Sequence, residues 1–531
     1  MKQCKVLLFF ILILSYALWA DALLSFAQNE GANHPSEVES GAHEIIGAKE
    51  AESVVEDIKG EEAKVFMLEE CVEIAIRNHL PLKTTKKSMK LAEWRLWEAR
   101  RNLLAKVGVK MEEHTGKIGG RRFYGKSTLV DIQQTVFHGG EYVYTMMQAE
   151  TNVKIVKREY ARIKNDLILQ VKKGYYTLAK SKENLKLQKE LAEEVLRIYG
   201  MVTKQYEGGI AGSLELLNVT SQMNQVRFQF TSAKGDVELA ELILKQAMNV
   251  DVSERIDIID NMEFKKVDVV FEKALPDALV HRPEMQISSM MVQYYIYELK
   301  VARAKNWPKI DFIGSFGMAK EEYISKDAGP DPATGATDAD QKLEQQWYAG
   351  VKCSIPLWGS TGEYSYTKEV WAPVVSAYRG SETITNSYKF NFLDNLAQYS
   401  EKYAADVDFD KARQELIKAK QDVTLEVRES CFNYEKALLQ LETAVNKVKY
   451  QESDLEMTKF RRQMDEVQDS NVVDSMIKLS QERFGYAQAV TDCNIAVASI
   501  CKAVGASDYF KDQEFNGNGN GVSINNNNNK K

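Results

Sequence analysis

Ile163-Lys164-Asn165-Asp166-Leu167-Ile168-Leu169-Gln170-Val171-Lys172-Lys173-Gly174-Tyr175-Tyr176-Thr177-Leu178 is the stretch whose reading decides the fold. Ile163, Leu167, Val171, Tyr175 and Leu178 recur three or four residues apart, so they share one face of an α-helix. The stripe is narrow, close to the seam of a coiled coil. Val427, Cys431, Tyr434, Leu438 and Leu441 repeat it in the second half of the chain. None of the nine prolines lies between Pro81 and Pro276, and none follows Pro373, so neither tract carries a helix breaker. A helix from about Tyr144 to Tyr206 would run on the order of 90 Å at 1.5 Å per residue, too long for an ordinary globular domain.

Each long helix ends in a turn and is followed by another helix. In Tyr206-Glu207-Gly208-Gly209-Ile210-Ala211-Gly212-Ser213 the glycines stop the first helix and Ser213 is placed to cap the next. The second turn falls near Met464 to Ser470, with Asp469 or Ser470 as the cap. It reads as about three residues longer than the first.

Between the helical tracts lie short alternating segments. Ile310, Phe312, Gly314, Phe316 and Met318 face one way, and Lys309, Asp311, Ser315 and Gly317 the other. Trp347, Ala349, Val351, Cys353, Ile355 and Leu357 alternate with Tyr348, Gly350, Lys352 and Ser354; Val130, Ile132 and Val136 alternate with Asp131, Gln133 and Thr135. These segments run to about ten residues, which a tilted strand needs to cross a bilayer. A half-buried strand of a soluble sheet has the same pattern. A fourth, poorly patterned strand is expected near Val109 to Thr115.

The 531 residues, 44% of them hydrophobic, suffice for a large core. The net charge of −7 provides no basic face for nucleic acid. Lys2 and Lys5 precede an apolar run from Val6 to Trp19, and Ser25-Phe26-Ala27 offers a cleavage site, so residues 1–27 read as a secretory signal peptide. Residues 28–62 read as a flexible acidic leader and the Asn/Gly-rich 507–531 as a disordered tail. Past the signal no stretch approaches the ~18 apolar residues of a membrane helix, whereas a membrane β-barrel stays open. The six cysteines show no C-x-x-C spacing; Cys493 and Cys501 read as core residues of a helix.

The chain repeats one order twice: short helix, strand, loop, strand, long hairpin. Leu68-Glu69-Glu70-Cys71-Val72-Glu73-Ile74-Ala75, leading to Pro81, parallels Phe271-Glu272-Lys273-Ala274-Leu275, leading to Pro283. Val136-Phe137-His138-Gly139-Gly140 parallels Ile355-Pro356-Leu357-Trp358-Gly359. With Tyr206-Glu207-Gly208-Gly209-Ile210 and Leu214-Glu215-Leu216-Leu217-Asn218, and with Leu68 to Asn78, these junctions make residues 65–506 resemble the TolC family of outer-membrane efflux and secretion proteins.

The resemblance implies a mainly α chain with a membrane β-barrel contribution. It implies long antiparallel helical hairpins, four β-strands per protomer, internal duplication, and a trimer that closes a twelve-stranded barrel above a periplasmic tunnel. The first repeat is expected over 63–260, with strands about 109–137 and a helical hairpin about 144–248. The second is expected over 261–506, with strands about 308–357 and a hairpin about 405–504. Residues 367–400 read as an insertion that the first half lacks. Partners implied are a periplasmic adaptor protein, an inner-membrane pump and outer-membrane lipid.

Such channels narrow at the hairpin tips through a ring of carboxylates. Asp474 is the first candidate, with Glu215 as its expected match in the first half, followed by Asn218; Asp465, Glu466 and Asp469 stand nearby. Around a threefold axis these would bind cations and repel one another when shut. Gly208, Gly209, Gly212, Ser213 and Glu466 are the candidate adaptor contacts, though helix termination alone explains the glycines equally. Gly120 to Ser127 matches the phosphate-loop pattern, but that chemistry needs a strand before the loop and a helix after it, and here a strand follows. Its better reading is an external loop in which Lys117, Arg121, Arg122 and Lys126 face lipid phosphates or solvent. No catalytic constellation and no cofactor or metal motif is present in the sequence. The leading expectation is a passive export channel of the outer membrane; the alternative is a periplasmic coiled-coil scaffold without a pore.

Overall fold

The computed structural model describes residues 64–118, 121–254, 256–259, 263–323, 343–370 and 382–505. The expected signal peptide, acidic leader and Asn/Gly-rich tail lie outside the described residues, as do Trp371, Pro373 and Tyr378. The chain begins with β1 (Lys64–Phe66), α1 (Leu68–Asn78) and α2 (Leu80–Arg101). It rises through β2 (Lys106–Ile118), returns through β3 (Arg121–His138), and descends α3 (Glu141–Glu207) before turning back along α4 (Ser213–Met248). A second passage follows: β4 (Ile256–Ile258), α5 (Phe271–His281), α6 (Pro283–Ala304), β5 (Lys309–Tyr323), β6 (Glu344–Leu357), β7 (Ser360–Val370), β8 (Glu382–Asn391), α7 (Ala397–Gln463) and α8 (Asp469–Val504).

The helix lengths recur. α1 to α4 have 11, 22, 67 and 36 residues, and α5 to α8 have the same four lengths in the same order. Pro81 and Pro283 sit in the first turn of α2 and α6, where a missing N–H leaves no helix bond unmade. α3 and α7 each extend about 100 Å. α4 and α8 return only about half that distance, and α2 and α6 fill the upper half. At mid-height β1 and β4 pair in parallel, Lys64 opposite Ile256.

The predicted stripes are the core. Leu167, Val171, Tyr175 and Leu178 are buried with Cys71, Leu82, Leu244 and Met248. Val427, Cys431 and Tyr434 are buried with Ala274, Ala278, Cys493 and Ile500. Each stripe is anchored by one tyrosine: Tyr175 donates its hydroxyl to the Ile259 carbonyl at 2.6 Å, and Tyr434 to that of Val267 at 2.7 Å. Burial pushes the Cys71 thiol up to about 11 and that of Cys493 up to about 12, so both stay protonated and pack as small apolar groups. α8, between α7 and α3, is buried on most faces. α4 buries Val219, Val226, Ala233 and Ala240, and α7 buries Ser430, Ala437, Ala444 and Gln451; each set is spaced by seven, a one-sided seam.

Two expectations about the turns are corrected. Both tips have the same length, Gly208 to Gly212 in one and Met464 to Gln468 in the other. The N-caps are Gly212 and Gln468, neither with a side-chain bond, so Ser213, Asp469 and Ser470 lie inside their helices. The tips share one geometry: Gly209 (φ 73) and Asp465 (φ 58) take the left-handed position. Aspartate tolerates that region better than most residues, so no glycine is needed in the second tip.

The four-strand expectation is also corrected. The main sheet has six antiparallel strands in the order β2-β3-β5-β6-β7-β8. The cause lies at one junction. In the first half Gly139 (φ 59) and Gly140 (φ 85) turn the chain out of β3 straight into α3; in the second, Trp358 (φ 46) and Gly359 (φ 79) turn it out of β6 into β7. Two successive left-handed residues also make the tight hairpin turn of type I′, so the same local conformation admits either continuation. The insertion therefore starts at Ser360, not near 367, and α7 starts at Ala397. The sheet does not close on itself; β2 and β8 are its edges.

Gly139 is the tighter of the two turns, since a Cβ there would lie 2.5 Å from the Ala304 carbonyl oxygen and 2.7 Å from the Trp307 Cβ. Gly139→Ala is expected to cost about 1–3 kcal/mol through clash and positive φ. Gly200→Ala, in the open on α3, should gain up to about 1 kcal/mol. Differential scanning fluorimetry of the purified protein checks both signs.

Candidate functional site

The sheet is two-sided, and its register sets which side chains share a face. On one face stand Val107, Val109 and Met111 of β2, and Val130 and Ile132 of β3. Phe312, Phe316 and Met318 of β5 follow, then Trp347, Val351 and Ile355 of β6. Met111 is 74% exposed and Val109 66%, an apolar surface with no cover among the described residues. The opposite face carries Lys110, Glu112, Asp131, Gln133, Thr135, Asp311, Ser315 and Lys352. Its groups answer one another: the Thr135 hydroxyl donates to Asp311 at 2.6 Å, and Lys110 meets Glu112 at 2.7 Å. The poorly patterned first strand is thus regular once its register is known. Trp307, Trp358 and Phe392 are exposed at the helical end of the sheet, where an aromatic girdle would meet a bilayer interface.

At the far end of the helices the two tips touch. Val202, Val219, Val472, Val473 and Ile477 form a common apolar cluster, burial worth about 1.5–3 kcal/mol for each such side chain. Above it the Asp469 backbone N–H donates to Glu215 Oε1 at 3.1 Å, and Gln222 donates to the Ser470 carbonyl at 3.1 Å. Asp469 is buried, and Arg462 grips it with two bonds, Nε and Nη2 each at 2.8 Å, while reaching Asp465 through Nη1 at 2.9 Å. The Asp469 carboxylate outweighs partial burial and raises the arginine's pKa further, so the guanidinium stays charged. Asp474 is half exposed and pairs with Lys478 at 2.6 Å. Asn218 and Glu466 are exposed, as are Gly208, Gly209, Gly212 and Ser213. Asp474 is the sixth residue of α8 and Asn218 the sixth of α4, so Asn218, not Glu215, matches Asp474. Sequence reasoning missed Arg462 and Lys478. Lys478 was signalled by its i,i+4 spacing from Asp474.

The basic cluster stands at the opposite end of the molecule. β2 and β3 pair up to Ile118 opposite Arg121, with Lys117 opposite Arg122. Lys126 is not in a loop: it lies within β3 opposite Glu113 and meets its carboxylate at 3.4 Å. From Arg121 onward the phosphate-loop match is therefore strand, without the helix N-terminus a nucleotide would need. Among the described residues no group of three or more His, Cys, Asp or Glu is disposed to hold a metal ion, and no helix is long and apolar enough to cross a membrane.

Residues 82–250 match the family model described as outer membrane efflux protein. Among solved structures the chain is similar to the CmeC outer membrane channel of Campylobacter jejuni, with a TM-score of 0.65 and 15% identity over 92% of this chain and 97% of that one. The fold is that of the TolC-like outer membrane channels. VceC of Vibrio cholerae (TM-score 0.63, 11% identity, 83% of this chain and 96% of that) is similar too. So is the open MtrE outer membrane channel of Neisseria gonorrhoeae (0.62, 13%, 83% and 89%). No curated protein matches the chain in sequence. In this TolC-like fold the two-sided sheet and the helical tips are the two ends of one elongated body.

Removing Arg462 leaves the buried Asp469 carboxylate unpaired next to Glu215. Arg462→Met is expected to loosen the second tip by about 1.5–3 kcal/mol, the range for hydrogen bonds to charged groups. Limited proteolysis between 463 and 468 should then run about 10–100-fold faster, and Asp469→Asn in the same chain should restore part of the protection.

Proposed function

We propose that this chain is the outer-membrane channel of a tripartite efflux pump or a type I secretion system, working as a homotrimer that exports passively from a periplasmic helical tunnel. The observation that carries the reading is the apolar face of the sheet, set at one end of helices about 100 Å long. Lipid accepts no open sheet edge, so a single copy with edges at β2 and β8 must recruit others to span a membrane. The helices lean the same way. Leu214, Leu217, Phe228 and Leu239 on α4, and Phe432, Leu439, Tyr450 and Phe460 on α7, are exposed on faces turned away from the one-sided seams. Further copies packed against α4 and α7 would cover them. The scaffold alternative accounts for the helices but leaves the two-sided sheet without a purpose.

The equal helix lengths of the two passages support internal duplication as the origin of the fold. A periplasmic adaptor and an inner-membrane pump supply the energy in this reading. Glycines 208, 209 and 212, with Ser213 and Glu466, are the tip surface offered to the adaptor. Asp474 is assigned to the cation-binding constriction, with Asn218 at the matching position of the first tip. Glu215 accepts the Asp469 N–H and the Asp469 carboxylate is held by Arg462, so these two carboxylates close the tip from within each protomer.

Asp474→Ala is expected to weaken block of the single-channel current by multivalent cations about tenfold or more, whereas Glu215→Gln should leave block nearly unchanged. Planar-bilayer recordings separate the two; unchanged block in Asp474→Ala would remove that residue from the constriction.

A further inference from the structure

The β7–β8 hairpin continues the sheet in register and in sidedness. Tyr364 and Tyr366 stand opposite Cys353 and Val351, and Phe390, Tyr388 and Ile384 follow on β8, all on the apolar face. The other face receives Glu363, Ser365, Thr367 and Glu369, then Thr383, Thr385, Ser387 and Lys389. Polar members of the apolar face are paired: Tyr364 donates to Asn386 at 3.0 Å, and Lys368 meets Glu382. On the polar face Lys352 of β6 reaches Glu363 of β7 at 3.3 Å. The strands have 11 and 10 residues, enough for a tilted bilayer crossing. The tyrosine rings of 364 and 388 lie 5.0 Å apart across the pair.

We infer that the hairpin is part of the membrane wall, and that the edge strand β8 pairs with β2 of a second copy of this chain. This rests on the outer-membrane channel reading. β2 ascends from the helices and β8 descends towards them, so the two edges meet antiparallel, as every neighbouring pair in the sheet does. Both edges carry the same alternation, so one register keeps all apolar side chains outward: Val107, Val109 and Met111 beside Ile384, Tyr388 and Phe390. Three copies of a six-stranded sheet close a barrel of eighteen strands, where four strands per copy would give twelve. Barrel diameter grows roughly linearly with strand number, so the lumen gains about half again in width and about twofold in cross-section. The helices contributed by each copy are not increased by the hairpin. The exit therefore widens relative to a twelve-stranded barrel while the tunnel that feeds it does not, and the tips remain the constriction.

Electron cryo-microscopy of the purified oligomer in lipid nanodiscs counts the strands. Eighteen, with β8 against the next copy's β2, is the expected result. Twelve, with β6 at the interface and the hairpin outside the wall, would overturn the inference while leaving the channel reading intact. Absence of any membrane barrel would sink both. Disulfide trapping in membranes gives a second reading in a Cys353→Ala background. Lys110→Cys on β2 is paired with Thr383→Cys, Thr385→Cys or Ser387→Cys on β8, and separately with Lys352→Cys or Ser354→Cys on β6. Cross-linked oligomers only with the β8 set support the inference; cross-links only with the β6 set refute it.

Discussion

In the channel reading, an unpaired peptide edge in hydrocarbon is the constraint around which the upper half of this molecule is arranged. Each exposed N–H or C=O costs several kcal/mol where water cannot reach it, so a spanning sheet must close. A single copy cannot close: its strands run from β2 to β8 with both outer edges open. The apolar face makes the demand specific. Slipping one strand by a single residue would carry Phe312, Phe316 and Met318 to the polar side and Asp311 and Ser315 to the apolar one. On that reading register, sidedness and oligomer formation are one problem, and alternation along the strands answers all three.

The other end works by a different balance. Burying a carboxylate is costly unless its bonds are met, and Asp469 has them met by a two-pronged guanidinium from the preceding helix. Breaking such a pair costs more than the pair contributes, because the remaining charge stays in place. Glu215 adds the link to the first tip through a backbone N–H, so the two hairpins of one protomer are joined by one charged cluster lying over a shared valine-rich contact. A motion that parts the tips has to break this cluster or move the two hairpins as a unit.

How much of this was legible depended on the range over which each signal acts. The long helices could be read from local spacing, since the proline-free tracts and the stripes at Leu167 to Leu178 and Val427 to Tyr434 need no knowledge of partners. Three strands were legible for the same reason. β7 and β8 were not: their apolar face sets Tyr364, Tyr366, Ile384, Tyr388 and Phe390 among Lys368, Glu382 and Asn386, and Leu357-Trp358-Gly359 looks like the start of a helix, as its counterpart is. The Arg462–Asp469 bond was hidden because the chain turns between them at Asp465, where a left-handed φ brings helix end and helix start together. The match of Asp474 to Asn218 needed both helix starts, which capping rules misplaced by one residue at Ser213 and by one or two at Asp469 and Ser470.

The insertion shows why its site was permissive. β8 brings the chain back to where it left: the Asn395 N–H donates to the Gly359 carbonyl at 2.9 Å, and the Leu393 N–H to the Ser360 hydroxyl at 3.0 Å. α7 therefore starts beside the turn from which a chain without the hairpin would have entered it, and it keeps the length of α3. One added strand would have left the chain at the far side of the sheet and reversed the direction of the edge. An up-and-down pair is the smallest addition that preserves chain direction, sidedness and the antiparallel meeting of the two edges. The helical half, whose lengths match residue for residue, has no need to adjust to a wider sheet above it.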